Sequence, residues 1–291
     1  MANLKEIRIR ITSVNSTMQI TSAMKMVSAA KLKRAQDAIT RMRPYAEKMQ
    51  EILGNVSASL DASESKFSKP REVKKILVVA ITSNRGLCGG FNNNVLKEIR
   101  ARLKSEWSGA KVSVLSLGKK AFDNYRKTDM HTTEGFGDTP YSIFDKLTFD
   151  AAGAIAFGIM EQYAAGKYDK VVLVYNKFKN AASQVLACEQ YLPVVQPKTV
   201  NTGRQKDYIY EPQKEQILEE LIPRTLKVQL FKALLDSNAA EHGARMTAMH
   251  KATDNAGEMV KELKLNYNKA RQAAITGEIL EIVAGAEALK G

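Results

Sequence analysis

The chain has 291 residues, two cysteines and a formal net charge of +13 at neutral pH. That length gives room for one or two domains with a full core. Two cysteines, Cys88 and Cys188, without metal-ligand spacing argue against a disulfide framework or a thiolate metal site. No apolar run approaches the roughly 20 residues needed to span a bilayer.

The N-terminal stretch Met1–Arg8 lacks the apolar core of a signal peptide and carries an early acid, so a reducing cytosol is the expected compartment. Residues 3–60 are predicted to form one helix, on the order of 85 Å long. Steps of four and three from Ile7 reach Ile11, Val14, Met18, Thr21, Lys25, Ser28, Leu32, Ala35, Ile39 and onward to Leu60. Thirteen of those sixteen positions are apolar, the repeat of a coiled-coil seam. Pro44 lies inside this helix and implies a kink, or a break into two helices. Residues 1–60 carry five Lys and five Arg against four acids. Such a basic helix suits an acidic protein surface, nucleic acid or anionic lipid. Its basic groups are spread over many turns, whereas a nucleic-acid site wants a dense block or stacking aromatics.

Residues 61–73 are Ser-rich and polar and read as a linker. Lys75–Thr82 is an apolar, β-branched run, as in a buried parallel strand. A glycine-rich turn, Asn84–Asn92, leads into a helix over about 93–107. A second strand, 111–117, and a short helix, 119–126, follow. A longer helix is predicted over about 141–165, then strands at 170–176 and 183–192, the last at an edge. This alternation predicts a small parallel sheet with helices on its faces. A final helix is predicted from about Pro212 to Leu289, with Pro223 as a kink or as the true start. The same walk from Ile217 to Glu287 passes Leu221, Val228, Phe231, Leu235, Met249, Ala252, Ala256, Met259, Leu263, Ala270, Ala273, Leu280 and Ala284, fourteen apolar positions of twenty-one. The fold class expected is thus α/β: a long antiparallel coiled coil of the N- and C-terminal helices plus a small Rossmann-like parallel-sheet domain. Three parts are expected: a helix over 1–60, a sheet domain over 74–205, and a helix over 210–291 that pairs with the first.

Polar residues interrupt both seams: Thr21, Lys25 and Ser28 in the first, Arg224, Asn238, His242, Arg245 and Asn266 in the second. They either fix register or mark turns that leave the seam for a partner. The C-terminal helix outlasts its mate by roughly twenty residues. Its end is slim, with Ala273, Gly277, Ala284 and Gly285, yet apolar on nearly all sides through Ile275, Ile279, Leu280, Ile282 and Val283. Such a helix calls for a surrounding protein surface.

Catalytic chemistry is hard to find. The glycine turn sits where a phosphate-binding turn would, but Gly86, Gly89 and Gly90 match neither G-x-G-x-x-G nor a P-loop. No Ser/His/Asp or Cys/His grouping and no paired carboxylates stand out. No catalytic, cofactor-binding or metal-binding residue is therefore assigned, and no cofactor is expected. A nucleotide-binding enzyme built on the sheet, or a basic coiled-coil scaffold for nucleic acid, remain the alternatives to a mechanical part.

Four blocks occur together and in order: Ile20–Lys31, Asn84–Asn92, Arg245–Asn255 and Asn266–Thr276. They resemble the gamma subunit of F-type ATP synthases, over the whole chain. The resemblance implies a non-catalytic rotor shaft that couples proton-driven rotation of a c-subunit ring to the cycling of beta catalytic sites. It implies three alpha and three beta subunits, an epsilon subunit and the c ring as partners, no nucleic acid, and membrane contact only through the ring. It implies a peripheral place on the cytoplasmic face of a bacterial inner membrane. By motif, Met24, Lys25, Arg271 and Gln272 would contact beta subunits. Ile279, Leu280, Val283 and Leu289 would form an apolar bearing. Asp207, Tyr208 and Tyr210 would meet epsilon or the ring. The cysteine-bearing regulatory insertion of chloroplast gamma subunits is absent, so thiol switching is not expected.

Overall fold

The computed structural model describes residues 4–58, 66–67, 71–137, 139–194 and 214–288, with side chains left aside at 55–58 and 214–218. Asp207, Tyr208, Tyr210 and Leu289, expected from the sequence as contact residues, lie outside the described residues.

The first element is α1, Leu4–Ala58, 55 residues that run through Pro44 without a break in helical assignment. Pro44 costs the helix one backbone donor, but the apolar four-three repeat continues across it. Next come β1 (Lys75–Ile81), α2 (Phe91–Lys104), β2 (Lys111–Leu117) and α3 (Lys119–Tyr125). A 3-10 turn at Pro140–Asp145 and α4 (Phe149–Ala164) occupy the span expected as a single helix. The hydroxyl of Thr148 caps α4 by accepting from the Ala151 amide, which sets its start. β3 (Lys170–Phe178) and β4 (Gln184–Leu192) follow, and α5 (Lys214–Ala288) closes the chain with 75 residues. Pro223 lies inside α5, so it does not mark the start of that helix.

The sheet order is β2-β1-β3-β4. β1 pairs in parallel with β2 and β3, whereas β4 pairs antiparallel with β3. The sheet is therefore mixed, not wholly parallel, and β4 is its edge as expected. The cause is loop length: five residues separate β3 from β4, and a parallel return needs a crossover of a dozen or more.

Contacts divide the chain into two compact units, Met1–Ser28 with Met246–Gly291, and Ala29–Arg245. The larger unit holds the sheet. Strand alternation sends its side chains to two cores. Leu77, Val79, Ile81, Leu115, Leu173 and Tyr175 pack with α4, with Leu53 of α1 and with Ile222, Leu226, Leu230 and Leu234 of α5. Ile76, Val78, Ala80, Val114 and Val174 pack with Val95 and Ile99 of α2, with Trp107, and with Ala121 and Tyr125 of α3. Tyr191 is buried in the first core and donates its hydroxyl to the carbonyl of Leu226, 2.9 Å away, tying β4 to α5.

Candidate functional site

In the smaller unit, α1 and α5 lie side by side. The Thr253 hydroxyl donates to that of Thr21 at 2.9 Å. Lys25 Nζ lies 3.4 Å from His250 Nδ1. Arg8 donates to the Tyr267 hydroxyl at 2.8 Å, with its guanidinium over the ring. Gly257 faces Met18 closely enough that an added Cβ would sit 3.8 Å from its sulfur. As the number on α1 falls, the partner's number on α5 rises, and the two numbers of a pair total 274 or 275. That is the signature of antiparallel helices in fixed register. The same register places Leu4 opposite Arg271, so later residues of α5 run past the described part of α1.

Every predicted seam position of α1 from Ile7 to Leu53 is buried or half-buried. Thr21 and Ser28 are buried with the rest. Thr21 hydrogen-bonds the opposite helix, so this breach is a register pin and not a gap. In α5 the predicted phase is half right. Met249, Ala256, Leu263 and Ala270 face inward, but alternate positions shift by one residue. Val260 is buried and Met259 is 44 % exposed. Thr253, Tyr267 and Ala274 are half-buried; Asn266 and Ala273 are exposed. Asn266 is thus no seam breach at all.

The predicted contact residues fall on different surfaces. Met24 and Lys25 are half-buried, whereas Arg271 and Gln272 are exposed. All residues from 278 to 288 are exposed. Ile279, Leu280, Ile282 and Val283 show 54, 62, 70 and 53 % of their surface to solvent. Four large aliphatic side chains exposed within five residues make an apolar surface of the kind that a partner covers.

The larger unit answers what the glycine turn does. The sheet order reverses beside β1, and ligands of doubly wound sheets bind where it does so. Here that position holds a side chain from α5. Arg245 donates to the carbonyls of Arg85 and Gly86, both at 3.2 Å, and to Glu241 Oε1 at 2.6 Å. The turn thus offers carbonyl acceptors to a guanidinium; a phosphate site would offer amide donors. Inside the turn, Asn92 accepts from the Ser83 amide and donates to Cys88 Sγ. Leu87 takes a left-handed φ of 63° and points outward, 64 % exposed. Burial raises the Glu241 carboxyl above its usual range, with Arg245 pulling it back down. His242 is lowered to about 4, by burial first and then by Arg245 and Lys31. Burial also raises both thiols, Cys88 and Cys188.

A second charged contact joins α1 and α5 in this unit. Arg43 lies 3.4 Å from the fully buried Asp236 and donates to the Phe178 carbonyl at 3.3 Å. Burial raises the Asp236 carboxyl, and Arg43 opposes that shift. Among the described residues, no group of three or more His, Cys, Asp or Glu is placed to hold a metal. No helix of the described residues is long and apolar enough to cross a membrane.

A family model described as ATP synthase matches residues 3–289. The ATP synthase gamma chain of Flavobacterium psychrophilum is 60 % identical over 295 residues, with all of both chains covered. That of Flavobacterium johnsoniae is 60 % identical over 292 residues, again with full coverage. The chain belongs to the ATP synthase gamma-chain family. Among solved structures, the central stalk and c ring of the Tetrahymena thermophila mitochondrial ATP synthase gives a TM-score of 0.57 at 27 % identity, covering 80 % of this chain and 99 % of that one.

As a gamma-chain family member, the protein is the central rotor and a non-catalytic, peripheral membrane-associated subunit of an F-type ATP synthase. The alternatives of a nucleotide enzyme and a nucleic-acid scaffold are not favoured. In the sequence, Arg245 stands out only as a polar break in a seam. Its partners, two carbonyls some 160 residues away and Glu241 one turn back, seat α5 on the turn in this chain. An Arg four residues after a Glu, on the same helix face, was the available local signal.

Proposed function

We propose that the paired helices form an axle turning inside a sleeve of three alpha and three beta subunits, on the cytoplasmic face of a bacterial inner membrane. In this reading the chain has three working parts: a helix over 1–60, a sheet domain over 74–205, and a helix over 210–291. Met24 and Lys25 on α1, and Arg271 and Gln272 on α5, meet beta subunits. Ile279, Leu280, Val283 and Leu289 run in an apolar bearing. Asp207, Tyr208 and Tyr210 meet the epsilon subunit or the c ring.

One observation carries this reading: the end of α5 is exposed on every side although four large aliphatic residues line it. Covering those four side chains is worth on the order of 5 kcal/mol. A sleeve that binds them apolarly, without hydrogen-bonding to them, restrains the helix across its axis while leaving rotation about it free. The exposed Arg271 and Gln272 lie just before the apolar end and supply the directional contacts that such a sleeve lacks.

Co-expression with alpha and beta subunits tests the reading. The expected result is a complex holding one copy of this chain per three beta subunits. Absence of the chain from the isolated complex refutes the axle. Val283→Asp is expected to lower recovery of the complex, because a carboxylate in the bearing is desolvated without a partner.

A further inference from the structure

A cavity of about 180 Å³ lies within the larger unit, where α1, β4 and α5 meet. Part of its wall is apolar: Leu53 of α1, Tyr191 of β4, and Ile222 and Leu226 of α5, all buried. The Tyr191 hydroxyl is already spent on the Leu226 carbonyl, so Tyr191 has only its ring to offer. The polar lining is Gln50, Gln190, Thr225 and Gln229, and no charged side chain joins them among the described residues.

Two of those polar groups are short of partners. Gln190 Nε2 donates to the Pro193 carbonyl at 2.8 Å, while its Oε1 has no partner among the described residues. Thr225 is 6 % exposed, and its hydroxyl is buried without a hydrogen bond. A threonine in a helix divides between two rotamers, so a rotamer change can bring this hydroxyl to the cavity. Gln190 Oε1 asks for a donor; the Thr225 hydroxyl takes either a donor or an acceptor.

The mixed wall narrows the occupant. Water needs two to four polar partners for each molecule, and the aliphatic side offers none. An ion would be desolvated without a counter-charge. A cavity of about 150 Å³ already accepts a benzene ring. We propose that this cavity binds one neutral, single-ring molecule bearing a group that both donates and accepts a hydrogen bond, of the class of a phenol or an aromatic carboxamide. Such a ligand touches α1, β4 and α5 at once, so its binding favours their packed arrangement over any opened one.

The test is a fluorine NMR titration of the full chain with 4-fluorophenol, which is uncharged at neutral pH. Saturable binding of one equivalent is expected, with a dissociation constant on the order of 0.1–1 mM for a ligand of this size. 4-Fluorobenzoate, ionised at the same pH, does not displace it. Thr225→Val keeps the shape of the side chain and removes the hydroxyl; affinity falls about fivefold, the scale of one hydrogen bond. Ile222→Phe fills part of the cavity, and binding is lost. Gln229→Trp, at a half-buried position, fills it from another side and takes over that arm where circular dichroism shows Ile222→Phe to be unfolded. No saturable binding by the unchanged chain up to about 10 mM overturns the proposal. Undiminished binding by Thr225→Val or by a folded, filled variant overturns it too, as does displacement by 4-fluorobenzoate.

Discussion

The two ends of α5 differ in burial far more than in composition. Between Ile222 and Arg245 almost every turn is covered on several sides: Leu226, Val228, Leu230, Ala233, Leu234, Asp236, Ala239 and Glu241 are all buried. From residue 278 to 288 nothing is covered, although Ile279, Leu280, Ile282 and Val283 are as apolar as anything upstream. Hydrophobicity states only that a side chain should leave water; what it packs against decides whether it does. In the first region the chain provides the cover itself, from the sheet, α4 and α1. In the second the cover has to come from another subunit. The first region therefore sets the stability of the chain and the second sets its assembly.

Variants can break or sharpen that contrast. The largest effect is expected from Arg245→Ala. It leaves Glu241, whose side chain is 9 % exposed, as a buried carboxylate without a partner and removes the donors to the Arg85 and Gly86 carbonyls. A loss of about 3–5 kcal/mol in urea unfolding of the full chain follows. Next comes a matched pair. Leu234→Ala is expected to cost about 2–5 kcal/mol in the same assay, whereas Leu280→Ala should stay within about 0.5 kcal/mol. The order reverses for recovery in the complex, where Leu280→Asp is the damaging change and the unfolding assay barely registers it. Equal unfolding costs for the two leucines would dissolve the contrast between the regions.

His242 gives a pH form of the same test. Its folded value is lowered from 6.5 to about 4, so the unfolded chain binds more protons between those limits. Stability is then fully present above pH 6.5 and is lost as pH falls towards 4, by up to about 3 kcal/mol. His242→Gln should flatten that part of the curve. The smallest effect is expected from Thr253→Val in the seam of the smaller unit. It removes the hydrogen bond to Thr21 and should cost about 1 kcal/mol, while Thr21 keeps its bond to the Met18 carbonyl.

The helices, their pairing and the strands were readable because periodicity is strong over long runs. The phase of α1 was right at every described position from Ile7 to Leu53 because its off-phase neighbours are polar or small. In α5 two phases compete. Met259 and Val260 are both apolar, Ala273 and Ala274 are identical in kind, and the seam residue Thr253 is polar while its rival Ala252 is not. Apolarity alone cannot separate these, and the helix settles on the phase that lets Thr253 reach Thr21. The direction of β4 was readable from the shortness of the connection between the expected strands at 170–176 and 183–192, a cue that the strand–helix alternation elsewhere obscured. The role of Arg245 depends on carbonyls far away in sequence, and no local pattern carries that. Of the candidate contacts, the exposed end of α5 was legible as an apolar surface without a mate. What touches Met24 or Arg271 is written in other chains.

The near-constant pairing of α1 with α5 also restricts how this protein can change length. Adding one residue to either helix turns everything beyond it by about 100°. Thr253 would swing away from Thr21, and Tyr267 would swing away from Arg8. Only a compensated pair of insertions, near seven residues in each helix and at matching levels, would return the seam to register. The stretch after Arg271 has no opposite helix among the described residues and so escapes that rule. Length variation between relatives is expected there, and in the connections of the sheet, before it is found between Ile7 and Ser28.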